Sequence, residues 1–529
     1  MPELPSIRQA SHIHPGRAIG LDVSAPTSRS VARNSALYFS SLAVPAAAAI
    51  FLVPVTIHAL GPTRFGLLAL AWVVAEGSGM FDLGLGRATV RFVADATGKG
   101  GERLREIVLA SFFAQTAAGV AAGVLLFFVA PVLVTRVFTI APGAVAEATA
   151  MFKVLALHLP ILLAAAALRA ALEGAQRFDI SAALRIPSAI ASVAVPAAAA
   201  SAGFSLAAIL WFLLAVRATL LAISAVVVSR TLLRSRWALP SSSRTLREML
   251  GYSGWVAVST ALGPLLGSFD RFVVGSAVGV TALGFYTGAA EAANRFLLIP
   301  VTAFSALLPA LAATDATGAR DRALAVTRAA RRQMAAVLFP LCIALFAFAP
   351  AVLRIWLGSD FADAGGTALR ILAAGVFFNG LAHLPLALLY GSNRPDLPAK
   401  IHLAEIVVYL PLTVILVRTW GINGAALSWS IRCVADLALY ELVSRNTLGR
   451  CDDDVAERAR TARLLWAGAG LAAAFFAAAR IGDASLPAAI TLMALGLACY
   501  VGVAWSRVLS RDERGAWIGL VLRSRPGVS

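Results

Sequence analysis

Charge is scarce in this chain. Asp, Glu, Lys and Arg make up 14% of its 529 residues, against 59% apolar residues. That balance excludes disorder and is far from that of a soluble enzyme. Acid is scarcer than base, with 28 Asp and Glu against 45 Lys and Arg, for a net charge of +17. The four cysteines (Cys342, Cys433, Cys451, Cys499) are scattered, which leaves no disulfide framework and no metal spacing. No apolar signal-peptide core precedes Arg33. Residues 1–32 are polar and Pro-containing and read as a disordered cytoplasmic tail, where His12 and His14 are solvated rather than metal ligands. No Gly-rich loop ends in Lys-Ser/Thr, since Gly98-Lys99-Gly100 lacks the spacing, and no His-Glu-x-x-His occurs on an outer loop. ATP-driven pumping and metal-assisted hydrolysis are therefore not indicated. Long polar connections are also missing, so no loop has room for a sizeable outer domain.

What is present is apolar sequence in membrane-length pieces. A spanning helix needs roughly 20 mainly apolar residues. Fourteen such runs can be drawn: 34–58, 66–92, 107–135, 150–172, 181–202, 206–229, 251–277, 284–313, 332–352, 366–390, 401–419, 424–446, 463–480 and 485–506. The fold class is all-α and polytopic. Arginine collects in alternate connections. Arg103 and Arg105, Arg234 to Arg247, Arg320 to Arg332, and Arg450 to Arg460 mark one side; Arg64, Arg136 and Arg354 are the sparse opposite set. This positive-inside pattern predicts both termini in the cytoplasm and accounts for the basic charge without nucleic acid.

Landmarks recur at an offset of 217–219 residues. Gly61, Thr63 and Gly66 match Gly279, Thr281 and Gly284. The turn Gly174–Asp179 matches Gly391–Asp396, Gly203 and Trp211 match Gly421 and Trp429, and Pro45 matches Pro264. The offset covers six runs, so both halves enter the membrane in the same direction, a parallel repeat about an axis along the membrane normal. The division expected is a tail (1–32), a six-helix lobe (33–232), a linker (233–250), a second lobe (251–446), an extra helix pair (447–506) and a tail (507–529). Two such lobes enclose a central cavity, and alternating access by rocking follows.

Charges inside membrane-length runs are functional candidates by default. Arg217 lies amid LAAILWFLLAVRATLLAISAVVV, about 16 Å from either end at 1.5 Å per residue. It needs an acid on another helix, cavity water or an anionic ligand. Glu291 and Arg295, like Arg432 and Asp436, are spaced to pair within one helix. Asp270 and Arg271 are adjacent and face different partners. Glu76 has no base on its own run, and its counterpart by the offset is Asn294. Arg87 and Arg91 stand one turn apart at a run end, suited to a phosphate or headgroup or to plain interface anchoring. Arg217, Arg271, Arg295, Arg432, Arg87 and Arg91 are the candidate anion-binding set, and Glu76, Asp270 and Glu291 the candidates for a coupling proton or sodium ion. His58, His158, His383 and His402 read as packing residues.

The turns LGPTRFGLL, FDLGLGRATVRFVA, EGAQRFD, LYGSNRPD and WGINGAAL resemble those of Wzx-type polysaccharide-biosynthesis flippases, in the multidrug/oligosaccharidyl-lipid/polysaccharide exporter superfamily. The resemblance runs over roughly residues 30–450. It implies two six-helix lobes with an additional C-terminal pair, location in a bacterial inner membrane, and no resident cofactor beyond a coupling cation. It also implies transport, not catalysis, of an oligosaccharide on polyprenyl diphosphate toward the outer leaflet, for O-antigen, capsule or exopolysaccharide, alongside membrane lipids and a polysaccharide polymerase machinery. A lipid II flippase and a small-molecule or drug antiporter are neighbouring readings. A membrane glycan polymerase is the reading from another class, and it lacks the acidic outer loop that such chemistry needs.

Overall fold

The computed structural model describes residues 28–82, 84–97, 101–233, 243–316, 320–392, 394–448, 455–481, 485–511 and 513–515. The expected tail before residue 28, the centre of the linker, Cys451 and the chain after 515 lie outside the described residues. Among the described residues every regular element is helical. In chain order these are α1 (Ser28–Gly77), α2 (Leu85–Ala96), α3 (Gly101–Val132), α4 (Val145–Gly174), α5 (Phe178–Ser201), α6 (Leu206–Val228), α7 (Ser243–Ala277) and α8 (Val280–Asn294). They continue as α9 (Leu298–Ala316), α10 (Arg320–Ala347), α11 (Ala349–Leu357), α12 (Ser359–Gly391), α13 (Asp396–Leu448), α14 (Val455–Ile481) and α15 (Leu486–Val503). Ten described helices are long and apolar enough to cross a membrane, and this is a multi-pass helical membrane protein. Its outward face agrees. Phe51, Phe128 and Trp466 are 74%, 74% and 79% exposed, an arrangement that costs free energy in water and none in hydrocarbon.

Each of the fourteen apolar runs falls on helix, but three are not single helices. The run 66–92 breaks at Gly77, passes through a 3₁₀ turn (Ser78–Asp82) and restarts as α2. The glycines at 77, 79, 84 and 86 are poor helix formers, and the Asp82 carboxylate accepts from Gly86 N at 3.0 and 3.1 Å. The run 284–313 breaks at the 3₁₀ turn Arg295–Leu297; Pro300 lacks an N–H and crowds the carbonyl four residues back. The run 332–352 ends at Ala347, because Pro350 opens the short α11 and is favoured only in a first turn. Two other expected boundaries fall where foreseen: the backbone is non-helical at Gly61 in α1 and at Gly421 in α13, so each of these elements is two helices meeting at a kink.

Positions paired by the sequence offset share local geometry. Gly61 and Gly279 both have positive φ, as do Gly203 and Gly421. Arg177 grips Asp179 with Nε and Nη2, both at 3.2 Å, and Arg394 grips Asp396 in the same way at 3.0 and 3.2 Å. Thr63 and Thr281 share a hydrogen bond of 2.9 Å. A Cβ on Gly66 would stand 1.8 Å from Val280 O, and one on Gly284 would stand 2.1 Å from Pro62 O. The start of α8 is thus seated directly against the α1 kink. Arg64 pairs with Glu147 of α4, which also accepts from Leu206 N at 3.0 Å, tying α4 and α6 to this junction.

The last two helices attach to one place. Leu471, Phe475 and Tyr500 pack with Phe339 of α10, Gly468 lies under the Phe339 ring, and Tyr500 donates to Ala336 O at 3.0 Å. Beyond α15, Glu513 pairs with the buried Arg332 of α10. At the arginine-rich end, Arg103 and Arg244 donate to Glu248 and hold its carboxyl below the usual carboxylate range.

Candidate functional site: a chain of three cavities

Three cavities share wall residues in sequence. A side pocket of about 260 Å³ lies among α4, α5 and α6 and is lined by Arg169, Arg185, Arg217, Ser181, Ser188 and Ser192. A middle cavity of about 470 Å³ shares Leu162, Ala189, Ser192 and Arg217 with it and adds Pro45, Trp72, Glu76, Glu291 and Arg295. A third, of about 460 Å³, shares Glu76 and is lined by Asp270, Arg271, Asn294, Asn379 and Arg432. Arg217 stands at the first junction and Glu76 at the second.

Arg217 is brought to its place by α6, which Ser205 caps through Ala208 N and whose Leu213 and Leu214 bury one face. Its Nη1 meets His158 Nδ1 at 2.9 Å and its Nη2 donates to Ser192 Oγ at 3.3 Å. Because Leu210 O can only accept, His158 Nε2–H donates to it at 3.1 Å. The Nδ1 lone pair therefore receives the guanidinium, and the imidazole is neutral. No carboxylate among the described residues forms a salt bridge with Arg217, and its Nε is buried without a partner. Among the described residues, no acid on another helix pairs with this charge. Neutral dipoles hold the side chain, and the charge faces a cavity with two further guanidiniums on its wall.

Of the other candidates, the structure gathers most and leaves two apart. Glu291 and Arg295 form the expected pair on α8. Asp270 accepts from Tyr286, whereas Arg271 turns to Glu76, 3.8 Å away, which also accepts from Ser268 at 3.0 Å. Glu76 and Asn294, paired by the offset, line the same cavity. Arg432 does not form the expected salt bridge with Asp436. Its guanidinium lies over the Tyr409 ring, 5.2 Å from the centroid, and Asp436 joins His402 and Glu405 instead. Arg87 and Arg91 are exposed on α2 and line none of the three cavities.

Sequence reasoning passed over Arg169 and Arg185, both near run ends, where arginines normally reach headgroups. Arg185 is the single charge in the run 181–202, which was the available signal. Two histidines taken as packing have polar tasks: His158 holds Arg217 and His402 holds Glu405. The same His402, Glu405 and Asp436 are the one group of potential metal-ligating side chains found among the described residues.

Comparison with known proteins places this arrangement. A Shigella flexneri protein named "Putative O-antigen transporter" is 27% identical over 412 residues, 78% of this chain and 97% of its own length. An inward-facing multidrug resistance MATE family transporter of the MOP superfamily superposes with a TM-score of 0.67 at 14% identity, over 78% of this chain and 98% of that one. An outward-facing MATE family transporter gives 0.58 at 15% identity, over 79% and 95%. These solved structures establish the fold. The model of the family described as "Polysaccharide biosynthesis protein" matches residues 59–366, more than half of the chain. On that match, this multi-pass membrane protein, folded like the solved MATE transporters, belongs to the polysaccharide biosynthesis protein family.

Proposed function

We propose that the protein is a flippase that carries an oligosaccharide on a polyprenyl diphosphate from the cytoplasmic to the outer leaflet of a bacterial inner membrane, by alternating access between two six-helix lobes. The observation that carries this reading is the uncompensated Arg217, with Arg169 and Arg185 on the same small pocket. A guanidinium at membrane depth with no acid is costly unless an anion completes it. Two phosphates are dianionic acceptors that match its forked donors. Ser188 and Ser192 add hydroxyl donors, and the two larger cavities offer room for sugars beside polar walls. Both termini lie in the cytoplasm on this reading, so the Thr63–Thr281 junction closes the outer end. Glu76, Asp270 and Glu291 line the route and are candidates for coupling it to a proton or sodium ion. The family match and the named Shigella flexneri relative agree with this substrate class. A drug antiporter, whose cargo is often cationic, fits a guanidinium-lined pocket poorly.

Complementation of a transporter-null strain tests the proposal through surface polysaccharide. Arg217→Ala is expected to abolish complementation while the protein still reaches the membrane, since losing one partner of a desolvated charge contact costs about 2–5 kcal/mol. Arg217→Lys keeps the charge and loses the fork, so partial activity is expected. Full complementation by Arg217→Ala would overturn the assignment.

A further inference from the structure

Behind the wall of the third cavity, the two halves of α13 bring together a group that the transport route does not use. One ligand-capable atom each of His402, Glu405 and Asp436 lies within 4.8 Å of the others. Glu405 and Asp436 are 7% and 5% exposed. His402 Nδ1–H donates to Glu405 Oε2 at 3.1 Å, and the Tyr440 hydroxyl donates to His402 Nε2 at 3.3 Å. That leaves Glu405 Oε1 and Asp436 Oδ1 buried, each without a hydrogen-bond partner.

The charges around them do not balance two carboxylates. On α13 the group faces Arg432, whose guanidinium is drawn to the Tyr409 ring, and Cys433. From α12 it faces His383 and Tyr390, with Asn379 engaged to Cys433 Sγ at 3.6 Å. From α7 comes Asp270, whose Oδ2 accepts from Tyr286 while its Oδ1 is buried without a hydrogen-bond partner. One guanidinium therefore stands against two close acids. Two carboxylates sharing a low-dielectric site do not both ionise. A hard metal ion takes about six oxygen ligands, whereas this group has only three carboxylate oxygens without a hydrogen bond and both His402 nitrogens engaged.

We propose that Glu405 and Asp436 share one exchangeable proton, in a site shaped by His402 and Tyr440. With the proton in place, the pair carries one negative charge, which Arg432 balances. Once it leaves, one excess negative charge lies a single helical turn from the cavity wall that Arg432 forms. A proton on the pair and an anion in the cavity therefore favour each other, as linkage requires.

Infrared difference spectra of the full-length protein in nanodiscs, recorded as pH is stepped downward, test this without reference to transport. A carboxylic-acid C=O band that grows as pH falls while still above about 5.5, where exposed carboxylates remain ionised, is expected in the native protein. Asp436→Asn and Glu405→Gln should each remove it, because the single remaining carboxylate stays ionised opposite Arg432. Size-exclusion profiles report folding, and either folded variant suffices; if neither folds, His402→Gln must shift the band along the pH axis. A band that survives in a folded Asp436→Asn or Glu405→Gln protein belongs to another acid and overturns the proposal. So does a band that His402→Gln leaves unmoved. A sodium-dependent rise in melting temperature at fixed pH, present in the native protein and lost in these variants, overturns it in favour of a metal-ion site.

Discussion

The pocket inside α4–α6 and the acid pair within α13 occupy corresponding stretches of the chain and carry opposite charge. Arg185 and His402 are 217 residues apart, as are Ser188 and Glu405, the same spacing as the adjoining Arg177–Asp179 and Arg394–Asp396 turns. Arg217 and Asp436 lie on the helical segments that carry the paired Trp211 and Trp429. The pocket is lined by three guanidiniums; the cluster within α13 holds two carboxylates and one imidazole. Backbone devices are kept at paired positions, including positive-φ glycines and Arg–Asp forks. The charged side chains beside them are not. The lesson is that the scaffold fixes where polar side chains gather, and two or three of them decide the sign of the charge there.

Giving the first pocket the second one's acid breaks the comparison most severely. Ser188→Glu adds a carboxylate to a wall shared with Arg169, Arg185 and Arg217. At a separation of about 6 Å and an effective dielectric of 20, one such pair gains about 3 kcal/mol. Arg217 would then be compensated internally and the anion displaced. Surface polysaccharide in the complementation assay should fall below detection, whereas Ser188→Ala should retain most of it. Native activity in Ser188→Glu would show that this pocket does not receive the anion.

Next in size is the point where paired positions touch. A Cβ on Gly66 would sit 1.8 Å from a backbone oxygen, which no side-chain rotation relieves. Overpacking of this kind costs about 1–3 kcal/mol. Gly66→Ala should lower the melting temperature of the purified protein and reduce complementation. Gly77→Ala, with nothing within 4 Å of its added Cβ, is the control and should change neither. Equal behaviour of the two variants would remove the α1–α8 junction from any structural role.

These contrasts also mark what sequence could reveal. Composition, run length and loop arginines made the helical membrane class legible, because hydropathy is a sum over many residues. The Gly and Thr landmarks at 61–66 and 279–284 pointed to residues that meet in space. Breaks at Gly77 and near Pro300 were harder to foresee, since average hydropathy does not respond to one turn of 3₁₀ geometry. The position of Arg217 far from either end of its run was legible, but its partners were not. His158 and Ser192 come from α4 and α5, and only tertiary packing shows that no acid among the described residues pairs with it. Likewise, i,i+4 spacing suggested an Arg432–Asp436 pair, and the Tyr409 ring and Glu405, outside any local window, draw the two apart.

The gentlest test uses the two forks. Arg177–Asp179 and Arg394–Asp396 are exposed, each formed between residues two apart, each at the start of a helix. Pairs of this kind contribute little. Asp179→Asn and Asp396→Asn should therefore leave transport intact and shift the melting temperature only slightly. The shifts should not be identical. Asp396 also accepts from Lys400 Nζ at 3.2 Å, a contact with no counterpart in the Asp179 turn, so Asp396→Asn should show the larger shift. Both acids sit in first turns, where a negative charge favours the helix dipole, and that shared contribution sets the common part of the two shifts. A reversed order would mean that the Lys400 contact adds nothing. Loss of transport from either variant would mean that the fork meets substrate or a moving loop, and the two turns could no longer be treated as equivalent structural caps.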